Sequence, residues 1–216
     1  MNPRRNRKKM KRAYSFIYMT GLCAMALLLQ SCISILPDFG GTTDIDVQRL
    51  DRAIDYNDDN VHAHFLAGRA ALNKGNPGAA EYHFRRAVEL NSDFEEAYEG
   101  LGVALMDQED WSDAIGVYTR LTSRFPENVS GFEGLAAAAY GGGNMEDARL
   151  YAEKVLTLDP GSAQAMRILG EVAYAEGEYV RAMGFWRQAI DADPAMAETY
   201  NPLMEDLEAY LEKYGR

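Results

Sequence analysis

The sequence predicts an all-α solenoid built from repeated pairs of helices. Residues of one type recur every 34 positions, and apolar residues are spaced three or four apart within each interval, as on one face of a helix. The three clearest ladders share one register: Ala80, Ala114, Ala148 and Ala182; Pro126, Pro160 and Pro194; Leu101, Leu135 and Leu169. A helix pair of this length cannot bury its apolar face alone, so neighbouring pairs must stack on one another.

Set in register without gaps, the ladders define four full units, at 61–94, 95–128, 129–162 and 163–196. We number the residues of each unit as places 1 to 34. Turns between the two helices of a unit are predicted at three glycines, where a left-handed residue can end the first helix. These glycines are Gly75, Gly143 and Gly177. The prolines of place 32 should end the second helix.

Small residues are predicted to bring the two helices of a unit close together. Place 8 is Gly68, Gly102, Ala136 and Gly170, and we expect it to face the alanine ladder of place 20. Place 24 is aromatic in three units and should seal each unit to the next. Unit three carries only Ala152 at place 24, so we expect it to be the loosest joint of the array.

Both ends of the array are predicted to be closed by single helices. Residues 45–60 should form an N-terminal capping helix and residues 197–216 a C-terminal one, since solenoids need polar-faced ends. Asn201 and Pro202 suit the N-cap and the first turn of the second cap. Its apolar stripe is Leu203, Leu207, Tyr210, Leu211 and Tyr214.

The first 44 residues have a different composition from the repeats. Residues 4–12 contain seven basic and no acidic residues, and residues 13–37 carry no charge. A basic stretch followed by an apolar one is typical of a secretory signal, here residues 1–31. The alternative is an uncleaved anchor, because the uncharged run is longer than the ~20 residues that span a membrane. Both readings place the repeats outside the inner membrane.

The sequence Leu29-Gln30-Ser31-Cys32 resembles the bacterial lipobox, with Gln30 departing from its usual pattern. This resemblance implies lipid on Cys32 and a tether at residues 32–44. It implies localisation in the bacterial envelope, facing the periplasm. Ile33 after the cysteine is compatible with the outer membrane under the enterobacterial sorting rule.

The net charge restricts the partners that the chain can have. It is −11 for the whole sequence, and removal of residues 1–31 leaves 15 basic and 33 acidic residues, a net charge of −18. Such a surface repels nucleic acid and anionic lipid, and it favours basic partners. Solubility alone would explain the charge equally well.

The sequence predicts no catalytic residues, no cofactor, no small-molecule substrate and no metal site. His62 and His64 are two apart and would point in different directions on a helix. No cysteine-rich or histidine-rich segment completes a set of metal ligands with them. The glycines 141–143 follow no strand and precede no Lys-Ser or Lys-Thr, so they are interpreted as a turn rather than a phosphate loop. We therefore expect a binding scaffold and not an enzyme.

The repeat pattern resembles the tetratricopeptide repeat family (TPR), which implies a right-handed solenoid with a concave groove lined by the first helices. The lining implied at places 2, 5, 9, 12 and 13 includes Phe65, Arg69, Leu72, Val103, Met106, Tyr140, Glu171 and Tyr174. Leu72 and Val103 can equally be ordinary packing residues. Place 5, with Glu99 and Glu133, lacks the Lys and Asn with which cochaperone repeats hold a terminal carboxylate.

The lipid signal, short tether and repeat count together resemble the TPR lipoprotein of Flp (Tad) pilus assembly and, more distantly, the pilotins. This resemblance implies a protein partner such as a secretin or another pilus assembly component. Two alternatives remain open: an adaptor for cell-wall hydrolases or outer-membrane protein assembly, and a structural envelope protein that associates with itself.

Overall fold

The computed structural model describes residues 59–214, and every regular element in that range is helical. The predicted signal, Cys32, the tether and nearly all of the N-terminal capping helix lie outside the described residues. The helices are α1 Val61–Asn73, α2 Pro77–Leu90, α3 Glu95–Met106, α4 Trp111–Arg124, α5 Val129–Gly141, α6 Met145–Leu158, α7 Ala163–Ala175, α8 Tyr179–Ala192 and α9 Ala197–Tyr214. Each helix from α3 to α8 begins 34 residues after its counterpart in the preceding unit. None of the helices in this range is both long and apolar enough to cross a membrane.

The turns inside the units have the backbone conformation that the sequence predicts. Gly75, Gly143 and Gly177 have positive φ angles of 67°, 81° and 81°. In unit two the same turn is made by Glu109, with φ of 60°. Left-handed backbone is strained for a residue with a Cβ atom, so this turn is less favourable than the other three.

Helix starts are fixed by side-chain caps at several repeat boundaries. The side chains of Asn60, Asn128 and Ser162 each accept a hydrogen bond from the backbone N–H three residues later, at the starts of α1, α5 and α7. These bonds satisfy donors that have no partner inside the helix. Phe94, which precedes α3, makes no such bond.

The interior is a stack of small residues and aromatic rings. All four alanines of place 20 are fully buried. The ring of Phe84, at place 24, lies between the first helix of its own unit and that of the next. A Cβ atom added to Gly68 would lie 2.9 Å from this ring, and one added to Gly100 would lie 2.5 Å from it. The glycines of places 8 and 6 therefore make room for a ring, a role that the repeat pattern alone does not indicate.

The same arrangement recurs around Tyr118, with Gly102 and Gly134, and around Trp186, with Gly170. Unit three reverses it, since Ala152 replaces the ring while Ala136 and Ile168 replace the two glycines. All three of these residues are fully buried in one cluster. The space that the small side chain of Ala152 leaves at place 24 is thus filled by the side chains of Ala136 and Ile168 on the first helices on either side. The looseness expected of this joint stays a prediction.

The closing helix α9 begins earlier than the sequence analysis expects. A short 3-10 helix at Pro194–Met196 leads directly into it, and Pro202 lies inside the helix rather than in its first turn. The assignment of Asn201 as its N-cap is therefore wrong. The residues that α9 buries are Tyr200, Met204 and Leu207, whereas Tyr210 and Tyr214 of the predicted stripe are exposed. Tyr200 stacks on Trp186 at 5.1 Å between ring centroids, which anchors the helix.

Candidate protein-binding groove

The first helices α1, α3, α5 and α7 present one face that is not covered by the second helices. We call this the groove face and define it by places 2, 5 and 9 of each unit, all of which are exposed or half-buried. It consists of His62, Phe65, Arg69, Glu96, Glu99, Val103, Ser130, Glu133, Ala137, Gln164, Arg167 and Glu171. Tyr140 and Tyr174, at place 12 of units three and four, are also half-buried.

Two of the predicted lining residues do not belong to this face. Leu72 and Met106 are each only 6% exposed and lie in the same apolar cluster as Ala80 and Ala114. An apolar side chain at place 12 packs in this cluster, because burial there removes its apolar surface from water. The prediction that Leu72 and Met106 line the groove is therefore wrong.

Place 5 of each of the first three units contacts place 34 of the same unit, which is the residue directly before the next first helix. In unit one the contact joins two rings, Phe65 and Phe94, with centroids 4.7 Å apart. In unit two the amide nitrogen of Asn128 donates to Glu99 at 3.3 Å. In unit three the hydroxyl of Ser162 donates to Glu133 at 2.5 Å. One position thus joins consecutive repeats with different chemistry in each unit.

The polar versions of this contact also cap the following helix. Asn128 Oδ1 accepts from the backbone N–H of Gly131 at 2.5 Å while its amide nitrogen reaches Glu99 and, at 2.7 Å, Glu95. Ser162 Oγ likewise accepts from the N–H of Ala165 at 3.1 Å. The carboxylates of the groove face therefore hold the caps of the next repeat in place.

Burial of these two carboxylates changes their acidity. Desolvation raises the pKa of Glu99, and the charges of Glu96 and Glu95 raise it further, against hydrogen bonds that lower it. Desolvation also raises the pKa of Glu133, with the hydroxyl of Ser162 acting in the opposite direction. Both groups are thus less stable as anions than exposed carboxylates are.

Glu171 is the centre of a polar network at the C-terminal end of the groove face. The hydroxyl of Tyr140 donates to Oε2 at 3.1 Å, and the hydroxyl of Tyr200 donates to Oε1 at 2.7 Å. Arg167 forms an ion pair with the same carboxylate at 3.8 Å. Because both oxygens of Glu171 are engaged, this residue links units three and four to α9. Burial, followed by the charge of Glu171, raises the pKa of Tyr200.

Charge is distributed unequally between the two sets of helices. The second helices α2, α4, α6 and α8 carry eight basic and seven acidic residues, whereas the first helices α1, α3, α5 and α7 carry two basic and five acidic ones. All four acids of α3 and α5, at Glu95, Glu96, Glu99 and Glu133, lie in helices without a basic residue. The middle of the groove face is therefore acidic.

Two of the three histidines contact each other, and they are not the pair His62 and His64 that is closest in sequence. His64 is fully buried, and its Nδ1 lies 3.1 Å from Nδ1 of His83. One nitrogen must donate and the other accept. His62 packs instead against Phe94, with ring centroids 5.7 Å apart. Within residues 59–214 no group of three or more His, Cys, Asp or Glu side chains is placed to hold a metal ion.

Sequence reasoning missed the links between repeats, although a second spacing indicates them. Phe65 and Phe94, Glu99 and Asn128, Glu133 and Ser162, and Glu171 and Tyr200 are all separated by 29 residues. A search for residues that could stack or hydrogen-bond with a partner 29 positions later in the sequence would have found all four pairs. It would also have indicated Tyr200 as a partner of Glu171.

Comparison with known proteins shows which of them share this fold. The tetratricopeptide repeat model matches residues 47–93, 99–163 and 153–197, which together cover more than half of the chain. MamA from Desulfovibrio magneticus RS-1 is 16% identical and superposes with a TM-score of 0.64, over 79% of this chain and 96% of that one. YrrB, described as a TPR protein with an unusual peptide-binding site, is 17% identical, with a TM-score of 0.59 over 87% and 90% of the two chains.

A curated relative matches over a shorter region. Protein O-mannosyl-transferase Tmtc3 of Drosophila melanogaster is 30% identical over 83 residues, which is 38% of this chain and only 9% of that protein. The predicted all-α TPR solenoid is confirmed, and proteins of this fold are generally non-catalytic scaffolds that bind other proteins. The chain belongs to the tetratricopeptide repeat family.

Proposed function

We propose that this chain is a lipid-anchored scaffold of the bacterial envelope whose groove face binds a segment of another protein. The observation that carries the proposal is the row of half-buried apolar side chains, Phe65, Val103 and Ala137, that stays uncovered beside acidic residues on the first helices. A surface with apolar anchors and a few polar groups suits a peptide laid across it. YrrB, a TPR protein with an unusual peptide-binding site, supports this use of the fold.

The lipid on Cys32 would hold the array at a membrane, facing the periplasm. Several acyl chains are needed for stable anchoring, at about 0.8 kcal/mol per buried methylene. A scaffold held in this way can bring its bound partner to the membrane. We propose that it assists assembly of an envelope machine, most like the Flp (Tad) pilus or its secretin. The similarity of lipid signal, tether and repeat count to that group of lipoproteins supports this assignment.

A pull-down from membranes tests both parts of the proposal. The groove variant Val103→Gln/Ala137→Gln places two longer polar side chains on the groove face without changing the charge. The matched control, Tyr82→Gln/Leu150→Gln, changes two side chains of the second helices that are 60% and 59% exposed. We expect the crosslinked partner to be lost with the groove variant and kept with the control, with similar melting curves. Equal recovery of the partner with both variants would contradict the assignment of the groove. A partner unrelated to pilus or secretin assembly would contradict the proposed role in assembling that machine.

A second candidate function is self-association, and one surface favours it. Tyr179, Val180, Tyr210 and Tyr214 lie at the C-terminal end of the array, where Val180 is 71% and Tyr214 56% exposed. The ring of Tyr210 lies 5.8 Å from that of Tyr179 and 5.3 Å from that of Tyr214, so the three tyrosines form one aromatic cluster. Light scattering on the full chain and on Val180→Ser/Tyr214→Ser tests it. A monomeric mass for the unaltered chain would exclude this candidate.

A further inference from the structure

We infer that the segment held by the groove face is basic, with lysine or arginine side chains lying against Glu96, Glu99 and Glu133. This inference rests on the proposed function, since it names the chemistry of the segment that the groove would bind. The inference also gives the negative charge a function: acidic residues in the groove recognise the partner, in addition to keeping the protein soluble.

Charge complementarity is the first argument. Basic residues of units one to four are concentrated on the second helices, where they balance the acids, while α3 and α5 carry four acids and no base. The middle of the groove face is thus acidic, unlike the second helices, in which the two signs of charge are balanced. Opposite potentials steer association and suppress partners of the wrong sign.

The second argument is that the fold does not require carboxylates at place 5. Unit one makes the same contact with place 34 through two rings, Phe65 and Phe94. Burying an acid is costly unless a cation or sufficient hydrogen bonds compensate. Glu99 receives Asn128 but lies beside two other acids, and desolvation raises its pKa. Among residues 59–214 neither of these carboxylates at place 5 forms an ion pair within 4.0 Å, although the charge of Arg167, which is paired with Glu171, lowers the pKa of Glu133.

A cation from a bound segment would compensate the charge of Glu99 directly and would add to the effect of Arg167 on Glu133. An ammonium or guanidinium group between them would face carboxylates that are already partly desolvated, where charge interactions are stronger than at a free surface. The apolar neighbours at place 9, Val103 and Ala137, would contact the aliphatic stem of the same side chain or an adjacent apolar residue.

Spacing makes the inference more specific. Packed helices lie about 8–10 Å apart, and α3 contacts α5. A segment in the polyproline II conformation has three residues per turn and rises about 3.1 Å per residue, so side chains three positions apart lie on one face about 9 Å apart. Basic residues three positions apart in such a segment would therefore meet Glu99 and Glu133 in turn.

The test uses a displayed library of random short peptides selected on the full chain in detergent. Peptides are kept if they lose binding to Val103→Gln/Ala137→Gln but not to Tyr82→Gln/Leu150→Gln. Their dissociation constants are then measured for the unaltered chain, for Glu99→Gln/Glu133→Gln, and for the matched pair Glu146→Gln/Glu153→Gln on the exposed side of α6. Glutamine keeps an acceptor for Asn128 and Ser162, and melting curves verify that all variants are folded.

We expect the groove-dependent peptides to be rich in lysine and arginine. Their affinity should fall by at least about tenfold in Glu99→Gln/Glu133→Gln, stay unchanged in the α6 pair, and decrease with added salt. Groove-dependent peptides without basic residues, or equal losses in the two glutamine pairs, would overturn the inference and leave the groove itself intact. If no groove-dependent peptide is selected, the proposed function fails and the inference fails with it.

Discussion

Replacing Gly100 with alanine should destabilise the array, although alanine is the better helix former. The new Cβ would lie 2.5 Å from Cζ of Phe84, a ring with no exposed surface and with Gly68 on its other side. Because the ring is confined between two helices, it cannot move away without displacing one of them. Overpacking of this kind costs about 1–3 kcal/mol. The gain in helix propensity, about 0.5–1 kcal/mol, acts in the opposite direction.

Gly116 provides the matched control, since it lies inside α4 and a Cβ added there meets nothing within 4 Å. Gly116→Ala should therefore raise the free energy of unfolding by about 0.5–1 kcal/mol. The difference between the two variants isolates the packing cost, which we expect near the upper end of the 1–3 kcal/mol range. Urea unfolding followed by far-UV circular dichroism measures both. Values that agree within about 0.5 kcal/mol would refute the packing argument.

A double-mutant cycle tests the exchange of bulk seen in unit three. Phe84→Ala alone should cost about 3–5 kcal/mol through the cavity that it leaves. Gly100→Ile alone should be more severe than Gly100→Ala. The double variant reproduces the pairing of Ala152 with Ile168, so it should be less destabilised than the sum of the single variants. Strict additivity would contradict the proposed exchange.

Three further predictions follow from the groove face, the closing helix and the N-terminal segment. The pKa of Glu99 and of Glu133 in the folded chain is raised above the ordinary value of 4.5. Protonation of these groups therefore stabilises the folded state fully below pH 4.5, and this stabilisation is lost as the pH rises through their pKa values in the folded chain. Stability should therefore increase as the pH falls from neutral towards 4.5, and less so in Glu99→Gln/Glu133→Gln, as urea titrations at several pH values would show. Tyr200→Phe removes the bond to Glu171 and should cost about 1.5–3 kcal/mol, measured in the same assay; a cost below about 0.5 kcal/mol would contradict the anchoring role. Cys32→Ser should move the protein from the membrane to the soluble fraction and abolish labelling with a radioactive fatty acid; unchanged labelling would exclude this lipidation site.

The sequence was sufficient for the period, the helix pairs and the turns because these depend on residues that recur in register. Gly75 and Pro126 terminate helices through local backbone chemistry, which is visible without a structure. The groove was predictable only in part. Whether an apolar residue such as Met106 lines the groove or joins the core depends on the direction in which its side chain is drawn by neighbours from other repeats. The roles of Glu99 and Glu171 depend on partners 29 residues away, which a comparison of equivalent places does not reveal.

The central claim is that the groove face, and not the outer face, contacts a protein partner. A photo-crosslinking amino acid placed at Val103 on the groove face, or at Leu150 on the exposed side of α6, tests this in living cells. We predict that Val103 gives one specific adduct, identifiable by mass spectrometry, and that Leu150 does not give it. The same adducts from both positions, or a specific adduct from Leu150 alone, would contradict the claim.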